Sequence, residues 1–330
     1  MKKTLTKILA LTLAVLMLLP FAASCAKPDK DLEIKIYALN GTTALGMAQM
    51  IDTVKKETAE MNYDISLHAS ADAITGAITS GECAIAALPT NVAVRLFNKS
   101  EGKVQLLALN TLGVLYLLQN GENITSLSDL KGKTVYVPGA GANPEYITAA
   151  LLESAGLEVG KDVIIDGTTY NSPDAVQAAI TENKISLAVL PEPKVTATTL
   201  SNENVKVALD LTAEWEEING ENTLVQGCLV VNTAFAEEHP EEIAKFLEDY
   251  KTSVDFISEG SEDAINMIVD AGILPKAAMA KKALPNCNIC CIAGEDMKDV
   301  MNTFCEKIFD YDKTSIGGKL PTDEFYYVAD

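Results

Sequence analysis

The chain has 330 residues, of which 46 are acidic and 26 are basic, and its formal net charge is −20 with both histidines neutral. This length is sufficient for two domains with separate hydrophobic cores. The acidic composition and the lack of a basic stripe argue against nucleic acid as a partner, because phosphate backbones are bound by clustered lysines and arginines.

The first 24 residues have the organisation of a secretory signal peptide. Lys2, Lys3 and Lys7 form a basic head, residues 8–19 are apolar and uncharged, and small residues precede Cys25. The apolar run is too short for a membrane-spanning helix. Residues 22–25 resemble a bacterial lipobox, although Ala22 occupies a position where that motif usually has leucine, which leaves an ordinary signal peptide as the alternative.

A lipobox implies that residues 1–24 are removed and that Cys25 is lipidated. Residues 25–31 would then link a membrane anchor to a folded extracytoplasmic protein. Removal of three lysines with the signal peptide would make the charge about −23. We therefore expect localisation outside the cell membrane, attached through an N-terminal lipid.

Strands and helices alternate along most of the remaining chain. Periodicity predicts strands at residues 33–39, 63–69, 83–87, 104–109, 112–119, 134–137, 163–166, 186–190, 205–209 and 223–231. It predicts helices from the turn at residues 40–43 to about residue 60 and at residues 71–80, 90–98, 144–154, 173–182, 192–200, 241–257, 262–269, 276–283 and 295–309. This order indicates an α/β fold of mainly parallel sheets flanked by helices, with a helical C-terminal region.

Residues 72–91 and 174–193 indicate an internal duplication. At a constant offset of 102, eight of the twenty aligned positions are identical. In each copy a helix leads into a short apolar strand, and a proline, Pro89 or Pro191, then opens another helix. Proline is suited to a first helical position because its missing N–H has no intrahelical partner there. Two similar halves predict a cleft between two lobes.

Two further segments resemble type 2 solute-binding proteins of ABC transporters. Residues 129–133, Asp-Leu-Lys-Gly-Lys, are similar to the segment that opens the second lobe in that family. Residues 239–247 and 262–264 are similar to the branch that binds nitrate, aliphatic sulfonates, taurine or thiamine pyrimidine precursors. The resemblance extends from residue 32 to about residue 309.

This resemblance implies a two-lobed type 2 periplasmic-binding-protein fold. Lobe 1 would comprise residues 32–110 and 211–330, and lobe 2 would comprise residues 111–210. The lobes would close over a small-molecule ligand and deliver it to ABC permease subunits. We expect a monomer that binds its ligand without transforming it and needs no cofactor. A non-transport sensor or scaffold lipoprotein is an alternative.

Four turns that follow predicted strands form the predicted binding site. In open α/β sheets ligands bind beyond the carboxyl ends of the strands, where unpaired N–H groups at helix N-termini favour anions or carbonyl oxygens. Two glycines in the third turn would let the backbone approach a ligand closely. Tight turns with helix caps are the alternative interpretation. The predicted site residues are Asn40, Gly41, Thr42, Thr43, Pro89, Thr90, Asn91, Asn110, Thr111, Gly139, Ala140, Gly141, Asn143, Glu145, Tyr146 and Glu192.

The expected charge of the ligand depends on three residues. Arg95, the single arginine, follows Pro89 by about one helical turn and need not reach the cleft. Arginine is the usual side chain for binding carboxylate, sulfonate or phosphate. Glu145 and Glu192 are stabilised in the first turns of helices, but either would repel an anion if it pointed into the cleft. We therefore expect a zwitterionic, cationic or heterocyclic ligand, with Tyr146 the favoured residue for stacking on a ring.

The cysteines do not indicate a metal site. Residues 287–291 contain one metal-like pair, whereas zinc sites usually have two pairs, and both histidines are distant in sequence. We expect no metal. The sequence does not distinguish between disulfides and buried free thiols for Cys83, Cys228, Cys287, Cys290, Cys291 and Cys305.

An enzyme is the rival class of function. A pyrimidine synthase of thiamine biosynthesis shares the fold implied by the resemblance and uses a cysteine-rich iron motif, but residues 287–291 lie in a different region from that motif. The two isolated histidines also give no Ser–His–Asp or Cys–His arrangement. We therefore expect that the protein is not an enzyme.

Overall fold

The computed structural model describes residues 27–328, so the predicted signal peptide and lipidation at Cys25 lie outside the described residues. The strands are β1 (Ile34–Leu39), β2 (Tyr63–His68), β3 (Ile85–Pro89), β4 (Val104–Thr111), β5 (Leu115–Asn120), β6 (Thr134–Tyr136), β7 (Ile164–Asp166), β8 (Leu187–Pro191), β9 (Val205–Asp210), β10 (Gly227–Asn232) and β11 (Ile289–Ile292).

The helices lie around these strands. They are α1 (Thr42–Leu45), α2 (Ala48–Lys55), α3 (Ala71–Ser80), α4 (Thr90–Ser100), α5 (Asn143–Ser154), α6 (Pro173–Thr181), α7 (Lys194–Ser201), α8 (Leu211–Asn219), α9 (Thr233–Glu238), α10 (Pro240–Ser258), α11 (Glu262–Asp270), α12 (Ala277–Ala283) and α13 (Glu295–Tyr311). Among residues 27–328, no helix combines the length and the apolar character that crossing a membrane requires.

The strands form two sheets with a similar spatial arrangement, apart from the additional edge strand β11 in the first. Sheet A has the order β11-β4-β10-β3-β1-β2, and sheet B has the order β7-β6-β8-β5-β9. In sheet A, β10 lies between β3 and β4 and is antiparallel to both. In sheet B, β5 lies between β8 and β9 and is likewise antiparallel to both. The other strands of each sheet run in one direction except the edge strand β11, so the predicted α/β fold with mainly parallel sheets is confirmed.

The sequence repeat occupies equivalent positions in the two sheets. Strands β3 and β8 end at Pro89 and Pro191, which keep the offset of 102 residues. The copies then diverge, because α4 begins at Thr90 whereas α7 begins at Lys194. The helix predicted from residue 192 therefore starts later than expected, after a cis peptide bond between Glu192 and Pro193.

Several predicted boundaries differ from the structure. The helix expected to extend to about residue 60 is divided into α1 and α2 at Gly46, where an added Cβ would lie 2.4 Å from the hydroxyl oxygen of Tyr250. The close approach of α10 at this point requires glycine. The strand expected at residues 223–231 starts at Gly227, and the strand expected at residues 83–87 is β3. Helices α8 and α9 and strand β11 were not predicted.

The chain passes from sheet A to sheet B after β4 and returns through α8 to β10. These two crossing segments touch, since a Cβ added at Gly113 would lie 2.3 Å from Oγ1 of Thr212. Asn288 binds the first crossing: its Nδ2 donates to the carbonyl oxygen of Gly113 at 2.5 Å, and its own carbonyl accepts from Leu112 N at 3.0 Å. The lobe boundaries at residues 110/111 and 210/211 stay a prediction.

Helices cover both faces of each sheet. One cluster of buried side chains is continuous from sheet A to sheet B through α13, where the rings of Trp215 and Phe304 are 6.1 Å apart. A second cluster packs α10, α11 and α12 against the other face of sheet A, and a third packs α6 and α7 against sheet B.

The six cysteines of residues 27–328 are free thiols. Burial raises the pKa of Cys83 and of Cys290 to about 12 and that of Cys291 to about 11. Burial also raises the pKa values of Cys228, Cys287 and Cys305. Thiolate, the reactive form, is therefore disfavoured at all six positions.

Candidate functional site

A cavity of about 300 Å³ lies where residues of both sheets meet. The ends of β1, β3 and β8 and the turns that follow them form much of its wall, which agrees with the general position of ligand sites in open α/β sheets. We call it the inter-sheet cavity. The predicted site residues that line it are Asn40, Gly41, Thr42, Thr43, Pro89, Asn91, Thr111, Gly141, Asn143 and Glu192.

Thr90 and Asn110 do not line the inter-sheet cavity but hold residues that do. Thr90 Oγ1 donates to the carbonyl oxygen of Val225 at 2.8 Å and accepts from Asn143 Nδ2 at 3.0 Å. Asn110 Nδ2 donates to the carbonyl oxygen of Thr43 at 3.1 Å. Both side chains are buried and occupied, so their role in the structure is to fix the wall.

The other predicted residues that lie outside the wall belong to the glycine turn and the start of α5. Gly139 has a φ of +86°, which glycine adopts without strain, and Ala140 packs on Gly167, where an added Cβ would lie 2.9 Å from Ala140 N. The carboxylate of Glu145 accepts the N–H of Gly141 at 2.5 Å. These contacts stabilise the turn.

Tyr146 was the favoured residue for stacking on a ligand ring. Its side chain is 7% exposed and lies outside the wall of the inter-sheet cavity. The ring packs edge to face against Tyr311 of α13, with the ring centres 6.4 Å apart. In this structure Tyr146 therefore packs α13 against α5.

Arg95, which the sequence did not require to reach the cleft, is a further residue of the wall. It lines the inter-sheet cavity and is partly buried. Asn91 and Arg95 are four residues apart on α4, so they share one face of the helix, and this spacing could have placed Arg95 at the site. Within residues 27–328 its guanidinium takes part in none of the side-chain hydrogen bonds or ion pairs, which leaves its donors available.

Three polar atoms in the wall are buried without a partner in the described part of the chain. They are Nδ2 of Asn91, Nε2 of Gln226 and Oδ1 of Asn143. Asn91 is 1% exposed and Asn143 is 4% exposed, so neither amide is solvated from outside. Buried polar groups are normally paired, and each unpaired one costs about 1–3 kcal/mol.

The carboxylate of Glu192 accepts hydrogen bonds from other residues of the protein. Thr196 donates to it through its N–H at 3.0 Å and its hydroxyl at 2.9 Å, and Asn286 Nδ2 lies 3.5 Å away. Neither Thr196 nor Asn286 lines the inter-sheet cavity. Burial raises the pKa of Glu192, and the hydrogen bonds from Thr196 act in the opposite direction.

The main chain of Glu192 also connects parts of the wall. Its carbonyl oxygen accepts from Thr42 Oγ1 at 2.8 Å, which joins the turn after β1 to the turn after β8. The carboxylate thus caps α7, and its oxygens are engaged by donors of the protein. Lys194, the adjacent cation in the wall, is paired with the carboxylate of Asp174.

Besides the four-residue α1, whose N-cap Gly41 has no capping side chain, three helices begin at the inter-sheet cavity without a capping side chain at the N-cap position. These positions are Pro89 before α4, Ala142 before α5 and Pro193 before α7. By contrast, Ser70 and Ser172 cap α3 and α6 with their hydroxyl oxygens. Helix N-termini carry partial positive charge, so the first turns of α4 and α5 add to the anion-favouring character of Arg95.

In residues 27–328 no group of three or more histidine, cysteine, aspartate or glutamate side chains is arranged to hold a metal ion.

Comparison with known proteins agrees with this architecture. The profile of a family described as NMT1/THI5 like matches residues 102–264. No curated protein matches the sequence.

Solved structures share the fold over nearly the whole chain. An ABC transporter protein from Parabacteroides distasonis is 22% identical with a TM-score of 0.76, and the match covers 91% of this chain and all of the other. The periplasmic aliphatic sulphonate binding protein SsuA of Escherichia coli is 14% identical with a TM-score of 0.72, covering 90% and 92% of the two chains. The alkanesulfonate-binding protein SsuA of Xanthomonas axonopodis pv. citri, bound to MOPS, is 12% identical with a TM-score of 0.67, covering 87% and 94%.

The expected fold is thereby confirmed: two sheets flanked by helices, as in these solute-binding proteins of ABC transporters.

Proposed function

We propose that this protein is the extracytoplasmic solute-binding component of an ABC importer and that it binds a small organic solute without transforming it. The observation that carries the proposal is the inter-sheet cavity. Its wall includes Asn91, Asn143 and Gln226, each with a buried polar atom that has no partner among residues 27–328. It also includes Arg95, whose guanidinium makes no hydrogen bond or ion pair in that part of the chain. A cavity whose wall contains buried, unpaired polar atoms is suited to reversible binding, because a ligand that pairs with them restores the missing hydrogen bonds.

The neighbouring structures support this proposal through their described ligands. The Escherichia coli protein binds aliphatic sulphonates, and the Xanthomonas protein is bound to MOPS. The unpaired guanidinium of Arg95 is suited to a sulfonate or a carboxylate. We therefore propose an anionic solute in place of the zwitterionic, cationic or heterocyclic ligand expected from the sequence.

The location and the partners follow from the N-terminal sequence and the fold together. Cleavage of the signal peptide after residue 24 and lipidation of Cys25 would anchor the protein to the outer surface of the cell membrane, with residues 25–31 as a linker. The partners would be ABC permease subunits, and the receptor would act as a monomer. Residues 32–110 with 211–330 and residues 111–210 would be the two lobes that close over the solute.

Thermal unfolding of the protein expressed from the full-length chain tests the proposal. A ligand that binds only the folded state adds RT ln(1 + [L]/Kd), or about 2.7 kcal/mol at a hundredfold excess over Kd. We expect at least one member of a panel of sulfonates, carboxylates, amino acids, amines and pyrimidines to raise the Tm. An unchanged Tm with every compound would contradict a receptor function.

A fold-related synthase is the second candidate, because the matching family profile is described as NMT1/THI5 like. A cysteine-rich iron motif in such an enzyme would leave iron in the purified protein. Elemental analysis, with a count of metal per chain, separates the two candidates: the receptor contains no stoichiometric iron, whereas the synthase contains it.

A further inference from the structure

The atoms of the inter-sheet cavity restrict the chemical class of its ligand. We infer that the ligand is an organic anion that carries an N–H or O–H donor close to its charged group and has an apolar body. This inference rests on the proposed function, since it takes the inter-sheet cavity as the binding site.

The charged group is assigned to the face of α4. Arg95 and Asn91 lie one turn apart on that face. Thr90, which precedes Asn91, donates its main-chain N–H to the carbonyl oxygen of Gln226 at 3.3 Å. Asn91, Arg95 and Gln226 all line the inter-sheet cavity, and the side-chain amide nitrogens of Asn91 and Gln226 are buried without a partner among residues 27–328. A carboxylate or a sulfonate has enough acceptor oxygens to pair with all three.

The donor on the ligand is required by Asn143. Thr90 Oγ1 has a single proton, and that proton is donated to the carbonyl oxygen of Val225, so toward Asn143 this oxygen only accepts. Asn143 must then present Nδ2 to Thr90, as observed at 3.0 Å, and its Oδ1 is left buried and unpaired. The orientation of this amide is thus fixed by its neighbours.

An anion without a donor would worsen the environment of Asn143 Oδ1. Two acceptors facing each other in a buried site leave both unpaired, and an anionic acceptor adds electrostatic repulsion. A hydroxyl, amino or amide group beside the charged group of the ligand would instead donate to Oδ1. The contact of Asn143 with Thr90 places this acceptor beside the region that holds Asn91 and Gln226.

Another part of the wall is apolar and favours an organic body. Leu39, Val92 and Val114 line the inter-sheet cavity together with prolines from four different turns. An inorganic oxyanion would leave this apolar surface exposed to water. A short carbon chain on the ligand would cover it, and each Å² of apolar area buried would stabilise the complex by about 25 cal/mol.

Isothermal titration of the full-length chain with matched pairs of small acids tests the class. The sulfonate pair is 2-hydroxyethanesulfonate and ethanesulfonate, and the carboxylate pair is lactate and propionate. Within the pair that binds, we expect the hydroxyl-bearing acid to bind about tenfold more tightly, which corresponds to about 1.4 kcal/mol. The two pairs distinguish a sulfonate from a carboxylate as the charged group.

Two variants locate the interactions. Arg95→Met should weaken binding of both members of the pair by about a hundredfold, whereas Lys99→Met, which removes an exposed cation one turn further along α4 and outside the wall, should leave it unchanged. In Asn143→Ala, the acid with the hydroxyl and the acid without it should bind with about equal Kd values. If Asn143→Ala does not fold, the comparison of the matched acids on the natural chain remains decisive.

The outcomes separate this inference from the proposed function. Equal or tighter binding of the acid without a hydroxyl overturns the donor requirement but leaves a solute receptor. Binding of only an inorganic oxyanion or a cation overturns the ligand class in the same way. If no compound in either the matched pairs or the broader panel binds, the receptor function fails and this inference fails with it.

Discussion

Replacement of Gly113 by alanine would introduce a methyl group between the two segments that connect the sheets. The added Cβ would lie 2.3 Å from Oγ1, 2.4 Å from Cγ2 and 2.8 Å from Cβ of Thr212. Ordinary van der Waals contacts of a Cβ begin at 3.4 Å, so the segments would have to separate by about 1 Å. Thr111 and Val114, on either side of Gly113, line the inter-sheet cavity and would move with it.

The expected cost is that of overpacking a buried site, about 1–3 kcal/mol. In chains of 150–250 residues each kcal/mol lowers the Tm by about 2–4 °C, and the shift is smaller in a longer chain. We therefore expect Gly113→Ala to lower the Tm by a few degrees and to weaken binding of any ligand that stabilises the natural chain.

A double-mutant cycle measured by urea unfolding isolates the cause. Thr212→Ala removes Oγ1 and Cγ2, the two closest atoms, and keeps Cβ at 2.8 Å, so it relieves part of the overlap. The hydroxyl that it removes is buried and has no partner among residues 27–328. If the contact is responsible, the double variant should recover about 1 kcal/mol or more relative to the sum of the single changes. Additivity to within about 0.5 kcal/mol, or a negligible effect of Gly113→Ala alone, would refute the reasoning.

Three further predictions concern stability and reactivity. Gly76 is exposed within α3 and has nothing within 4 Å of an added Cβ, so Gly76→Ala should stabilise the protein by about 0.5–1 kcal/mol in urea unfolding, whereas Gly81→Ala, at a φ of +80°, should destabilise it. Hydrogen bonds from Thr169 and then Thr168 lower the pKa of Asp166 to about 2, so the stability it contributes is present above its ordinary pKa of 3.8 and is lost as the pH falls toward 2. Asp166→Asn should flatten the unfolding free energy between about pH 4 and pH 2, and an unaltered acid dependence would contradict this assignment. In a Cys25→Ser variant, the six thiols of residues 27–328, of which Cys290 and Cys291 are only partly buried, should react slowly with a thiol reagent in the native state and completely in denaturant. One rapidly reacting native thiol would contradict the raised pKa values of these thiols.

Much of the fold could be predicted from local pattern because most helices and strands have clear periodicity. The repeat was especially informative, since β3 and β8 proved to be equivalent strands. Local pattern could not show that β10 enters sheet A between β3 and β4, because that pairing joins segments more than a hundred residues apart. Short elements such as α9 and β11 depend on tertiary contacts and gave too few residues for a periodic signal.

The position of the candidate site could be predicted better than its chemistry. The rule that ligands bind at strand ends found Asn91 and Asn143, but it could not show that the carboxylate of Glu192 turns toward Thr196. The separation of Arg95 from Pro89 along the helix does not show which way the Arg95 side chain points. Its spacing of four residues from Asn91 does, because residues four apart lie on the same face of a helix. Gln226 lies in a crossing segment without a recognisable motif, so nothing in the sequence indicated it.

The insertion of β10 also has a consequence for the order in which the chain can assemble. All strands of sheet B lie between residues 115 and 210, so this sheet can form from one continuous stretch. Strand β4 pairs only with β10 and β11, although it precedes the whole of sheet B in the chain. Until residues 227–292 are added, β4 has no strand to pair with and β3 lacks one neighbour. Sheet A, and the part of the cavity wall that contains Gln226, can therefore be completed only after the C-terminal third of the chain is present. This step depends on contacts between segments that are distant in sequence.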